Sequence, residues 1–96
     1  MLYTDMFGKY RFYVRGTEDK LKEFTVDLAW YHSAIGEVAS VNEHNNGELT
    51  LNLVVHPEHY GDDLECLEKW IRKLVEKHNL IGFSTWKEYK AMEATA

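Results

Sequence analysis

The apolar residues of this chain switch spacing along its length, and those switches constrain the fold more than any other feature. Over residues 9–15 they alternate: Tyr10, Phe12 and Val14 take one side and Arg11, Tyr13 and Arg15 the other. A period of two marks a half-buried strand. Gly16 and Thr17 then break the pattern, with Thr17 as helix N-cap and Glu18 and Asp19 in the first turn. From about Glu18 to Ile35 the spacing becomes helical. Leu21, Phe24, Leu28, Tyr31, His32 and Ile35 share one face, and Gly36 is the expected stop. Val26, Trp30 and Ala34 form a second, smaller ridge nearly opposite. A helix lying on a sheet needs only the first stripe.

Residues 37–56 read as a hairpin around Asn45, Asn46 and Gly47. A two-residue turn would set Leu49, Leu51 and Leu53 beside His44, Asn42 and Ser40. A three-residue loop with Gly47 left-handed sets them beside Glu43, Val41 and Ala39. The second register is the more apolar and is the one expected. After a loop at 56–61, Asp62 or Asp63 opens a second helix, with Leu64, Leu67, Ile71, Leu74, Val75 and His78 on its inner stripe and Trp70 on its flank. Asn79 suits a left-handed stop, and Ile81 to Ser84 suit a short strand. Thr85-Trp86-Lys87-Glu88 has the form of a capping box, implying a closing helix through Tyr89 and Met92. The alternative continues the last strand through Tyr89.

The resulting order is strand, helix, strand, strand, helix, short strand. It predicts one α+β domain over residues 1–96, a ferredoxin-like βαββαβ plait with an antiparallel sheet, two helices on one face and an extra C-terminal helix as an option. With 96 residues, 45% of them hydrophobic, a single core forms without staples. The one cysteine, Cys66, excludes an internal disulfide and fits a reducing, cytoplasmic setting. No signal peptide or membrane-length apolar run is visible.

Charge is distributed as unevenly as hydrophobicity. From Glu23 to Glu68 there is no Lys or Arg, while ten carboxylates occur; all 11 basic residues lie outside, with only six acids. A plait would gather Glu37, Glu58, Asp62, Asp63 and Glu65 at one pole, with His32, His56 and His59 close by. Arg15, Lys20, Lys22, Lys73 and Lys77 would go to the other, where Glu43 and Glu48 are the exceptions. Such a field steers partners without determining the fold.

No catalytic motif accompanies it. His56, His59 and Asp62 are ligand types suited to zinc, but their spacing is loose and Pro57 bends the loop. Cys66 sits beside acids that oppose its thiolate. Asp62 and Asp63 point about 100° apart on a helix and do not converge on one atom. Arg11, Tyr13 and Arg15 resemble RNA-binding sheet positions in residue type only, because one aromatic is too few for a stacking platform.

These features point to a non-catalytic protein-interaction module of inhibitor, immunity or adaptor type. It would bind a basic surface on a larger protein, for instance one that handles nucleic acid. Val26 and Trp30 would anchor it, with Glu23 and Asp27 as a negative rim. The closing helix covering Trp30 is the intramolecular alternative. Neither a cofactor, a membrane nor direct nucleic-acid binding is implied by the residues. The rival functions are a small-ligand regulatory domain acting as a homodimer, a His-based metal site or enzyme, and RNA binding by the sheet.

Overall fold

The computed structural model describes residues 2–31, 34–44, 46–85, 87, 88, 90 and 91. Its first strand pair comes from a segment too short to show a period. Strand β1 (Tyr3–Thr4) pairs antiparallel with the start of β2 (Tyr10–Thr17), setting Tyr3 beside Arg11 and Thr4 beside Tyr10. Helix α1 (Glu18–Tyr31) follows, then β3 (Gly36–Glu43), β4 (Glu48–Val55), a 3₁₀ turn (Pro57–Tyr60), α2 (Leu64–Lys77) and β5 (Ile81–Phe83). All strand pairs are antiparallel. β2 and β4 lie at the centre, β3 borders β4, and β1 and β5 share the free edge of β2. The chain is thus an α+β domain with an antiparallel sheet and two helices.

The cross-strand register explains the core. Phe12 faces Leu53, Val14 faces Leu51 and Tyr10 faces Val55, so one sheet face carries the apolar side chains of both central strands. Leu21, Phe24 and Leu28 of α1 and Leu67, Ile71, Leu74 and Val75 of α2 complete a single cluster with them. Phe12 is fully buried. A Cβ on Gly82 would come 2.7 Å from its ring, so β5 can run there only with glycine, and the Arg72 guanidinium lies 5.3 Å from the ring centroid.

Around the hairpin the more apolar register holds, with Leu49 beside Glu43 and Leu51 beside Val41. His44 N–H donates to the Glu48 carbonyl at 2.9 Å, and Gly47 adopts φ +84, as a three-residue loop requires. A bulge at Ala39 then shifts Leu53 onto Val38. Thr50, polar and opposite in pleat to Leu49 and Leu51, is nonetheless fully buried, its hydroxyl 2.7 Å from His44 Nε2.

One helix end differs from expectation. α1 is described as Glu18–Tyr31, Ile35 already lies in a turn, and Gly36 opens β3 instead of capping the helix. A Cβ at Gly36 would collide with the Val54 carbonyl oxygen, so its role is close strand approach. At α2 the expectations are met: Asp63 is the N-cap, accepting from Cys66 N–H at 3.1 Å, and Asn79 is left-handed at φ 55. Beyond β5, residues 87, 88, 90 and 91 are helical. Thr85 Oγ1 accepts from Glu88 N–H at 3.1 Å and the Glu88 carboxylate reaches back to the Thr85 N–H, as in a capping box, and also to the N–H and hydroxyl of Ser84. The expected contributions of His32, Trp86, Tyr89 and Met92 lie outside the described residues. No helix among the described residues is long and apolar enough to cross a membrane.

Candidate interaction surface

Val55 ties one end of the molecule together. It pairs with Tyr10 on one side and Gly36 on the other, and His56 N–H donates to the Ile35 carbonyl at 2.8 Å. The starts of β2 and β3, the 56–63 loop and the start of α2 therefore meet. Five acids of the lysine-free stretch lie on these segments. The His56 ring stands between two of them, Nε2 3.8 Å from Glu37 and Nδ1 3.6 Å from Glu58, with the His59 ring 6.3 Å away and edge-on. Asp62 takes a left-handed turn, Asp63 caps α2, and Glu65 projects from the first turn of that helix beside a recess of about 410 Å³ lined by Leu2, Leu64 and Glu68. Among the described residues none of Glu37, Glu58, Asp62, Asp63 or Glu65 pairs with a Lys or Arg. β2 and the loop before it add Lys9, and Arg11, which Asp5 engages at 2.8 Å.

Three of the remaining acids of that stretch, Asp27, Glu48 and Glu68, behave differently. Asp27, expected as an exposed rim charge beside Trp30, is only 9% exposed. Its Oδ2 accepts from Lys77 Nζ at 2.9 Å and lies 2.9 Å from His78 Nε2. The Lys77 ammonium first, then His78, hold the Asp27 carboxyl below its ordinary range. Asp27 thus joins the middle of α1 to the end of α2, with the His78 ring packed edge-on to Phe24 at 6.0 Å. It cannot serve as an outward rim. Glu48 pairs with Arg15 at 3.4 Å and Glu68 with Arg72 at 3.3 Å. The acidic pole therefore contains fewer charges than the linear count implies. Glu23 remains exposed on α1.

The second ridge of α1 faces solvent. Trp30 is 78% exposed and Val26 56%. Val26 also borders an apolar groove of about 380 Å³ that runs between α1 and the hairpin, lined by Leu21, Thr25, Val41, Leu49 and Leu51.

One surface element was not legible as a site. In the loop between β1 and β2, the Asp5 carboxylate accepts from the N–H groups of Phe7 (2.8 Å) and Lys9 (3.0 Å) and from Arg11 Nε (2.8 Å). Two backbone bonds close the loop: Gly8 N–H to the Asp5 carbonyl at 3.0 Å, and Asp5 N–H to the Lys9 carbonyl at 2.8 Å. The Arg11 hydrogen bond, then the Lys9 N–H, lower the Asp5 pKa. Met6 and Phe7 ride on this frame 89% and 77% exposed. The available signal was the pairing of two turn formers, Asp5 and Gly8, around two large apolar residues.

The rival sites are weaker in three dimensions. His56, His59 and Asp62 do not assemble a metal site: among the described residues no three His, Cys, Asp or Glu side chains are placed to hold a metal ion. Cys66 is an exposed free thiol at the acidic start of α2. On the outer sheet face Arg11 and Arg15 are engaged by Asp5 and Glu48, which leaves little positive charge for a phosphate backbone. Burial raises the pKa of Tyr13 between them. Compared with protein-family models, curated proteins and solved structures, the chain matches none.

Proposed function

We propose that this chain is a small non-catalytic interaction module, of inhibitor, immunity or adaptor kind, built on a ferredoxin-like βαββαβ plait. Its acidic end docks on a basic surface of a larger protein. The plait assignment rests on the succession β2-α1-β3-β4-α2-β5, with β2 and β4 central and β1 an addition to the edge. The functional reading rests on one observation. Glu37, Glu58, Asp62, Asp63 and Glu65 occupy segments that meet at one end, and no Lys or Arg among the described residues neutralises them.

Charges left unpaired at a protein surface act over roughly a Debye length and raise encounter rates with an oppositely charged partner. A surface that grips phosphates is rich in Lys and Arg, so a nucleic-acid-handling protein is a natural target. Affinity then comes from apolar area, and exposed Trp30 and Val26 supply it near the end of α1. The test is a partner isolated from the host on the immobilised chain, followed by kinetics between about 50 and 500 mM salt. Association slows with salt, while Trp30→Ala speeds dissociation. A salt-independent association rate, together with unchanged binding of Trp30→Ala, removes the reading.

A further inference from the structure

Exposed Val26, Trp30 and Val41 belong to a helix face or to the groove beside it, whereas Met6 and Phe7 are consecutive and stand on a loop built to hold them out. Neither belongs to the core cluster, so folding does not require an apolar residue at either position. The turn itself needs only Asp5, whose carboxylate fixes the Phe7 and Lys9 N–H groups, and Gly8, which takes φ +76. Small polar residues would satisfy the same turn at positions 6 and 7 without exposing two large side chains to water.

We propose that the Met6–Phe7 tip is an anchor that inserts into an apolar pocket rimmed by Lys or Arg on the partner protein. This deepens the reading of the acidic end given above and rests on it. The argument for the occupant is charge complementarity. Tyr10 pairs with Val55, so the 5–9 loop leaves the sheet at the end where Glu37, Glu58, Asp62, Asp63 and Glu65 lie. Lys9 is the adjoining positive charge, since Arg11 is engaged by Asp5. An anionic membrane would be repelled by that setting, and a second copy would bring the same acids against one another. A basic-rimmed protein pocket satisfies both the tip and its surroundings. The frame of hydrogen bonds matters for affinity, because a loop ordered before binding does not lose its backbone freedom on docking. Aromatic and methionine side chains are enriched at the centres of such contacts.

The test places a benzophenone photo-crosslinking amino acid at position 7 of the full chain in host cells and identifies what it captures. The captured protein, purified, is then titrated with the unsubstituted chain, with Met6→Ser/Phe7→Ser, and with Glu37→Gln/Glu58→Gln/Asp62→Asn/Glu65→Gln. Thermal unfolding checks that all three are folded. The expected result is a protein adduct and a loss of affinity of at least about tenfold for the tip variant, arising in dissociation, against slower association for the charge variant. Capture of lipid alone, tip-dependent binding to phosphatidylcholine/phosphatidylglycerol vesicles, capture only of a second copy, or no adduct overturns the proposal. So does unchanged affinity of the tip variant. If that occurs while the charge variant still loses binding, only the anchor is refuted; if both bind as the unsubstituted chain does, the parent reading fails as well.

Discussion

The α1–α2 junction and the acidic end of the sheet contain the same residue types and use them in opposite ways. At the junction, Asp27 is sequestered beside Lys77 and His78, and Phe24 is fully buried against the same histidine. At the acidic end, Glu37 and Glu58 meet His56 and, among the described residues, no Lys or Arg, and Phe7 stands in water. A carboxylate or a phenyl ring is therefore structural or available according to what the fold carries to it. Thirteen aromatics and sixteen acids in the sequence do not announce which is which.

Mutations can break that contrast. The largest effect is expected from Phe24→Ala, which removes a fully buried ring and should cost about 3–5 kcal/mol in urea unfolding. Phe7→Ala at the open end should stay within about 0.5 kcal/mol in the same assay. If the two cost the same, the division into closed and open regions is wrong. Next in size is Asp27→Asn, expected to lose roughly 1–3 kcal/mol at neutral pH by weakening the Lys77 and His78 contacts. Its pH signature follows from the direction of the shift. The folded-state pKa of Asp27 is lowered, so its stabilisation is complete above the ordinary aspartate value of about 4. It is lost as pH falls through the lowered folded value. Unfolding free energies should thus decline less steeply in acid for Asp27→Asn than for the unsubstituted chain, and equal slopes would contradict the assignment.

A local effect comes third. Asp5→Ala removes the acceptor of the Phe7 and Lys9 N–H groups, so those two amides should exchange with deuterium several-fold faster, while the core amides of β2 and β4 keep their protection. Unchanged exchange at 7 and 9 would mean that Asp5 does not order the tip. The smallest change is expected from neutralising Glu37 and Glu58 together. Both are exposed, and stability should move by no more than about 0.5 kcal/mol. A larger loss would place these acids in the folding scaffold and sharpen the contrast in an unexpected direction.

Much of the architecture was legible from period and turn chemistry. β2, both helices, the hairpin register beside Gly47 and the Asp63 and Asn79 ends of α2 all follow from residue type and spacing. β1 was not, because two residues carry no period and Tyr3–Thr4 becomes a strand only when β2 offers an edge. The reassignment of Gly36 has a tertiary cause: the Val54 carbonyl approaches from a distant strand. Of the candidate site, the Val26–Trp30 ridge and the gathering of Glu37 and Glu58 around His56 could be anticipated. The burial of Asp27 could not, since Lys77 and His78 are 50 and 51 positions away.

Sequence by itself determined where the longer helices and strands lie, which of their faces are apolar, and that acids and bases are segregated along the chain. These are consequences of backbone geometry acting over a few neighbouring residues. Only the tertiary structure decided which charges are spent in pairs, that Thr50 and Asp27 are buried, and that Met6 and Phe7 are displayed beside the acids. Burial and pairing depend on segments that meet in space, and no local pattern encodes the distance between them.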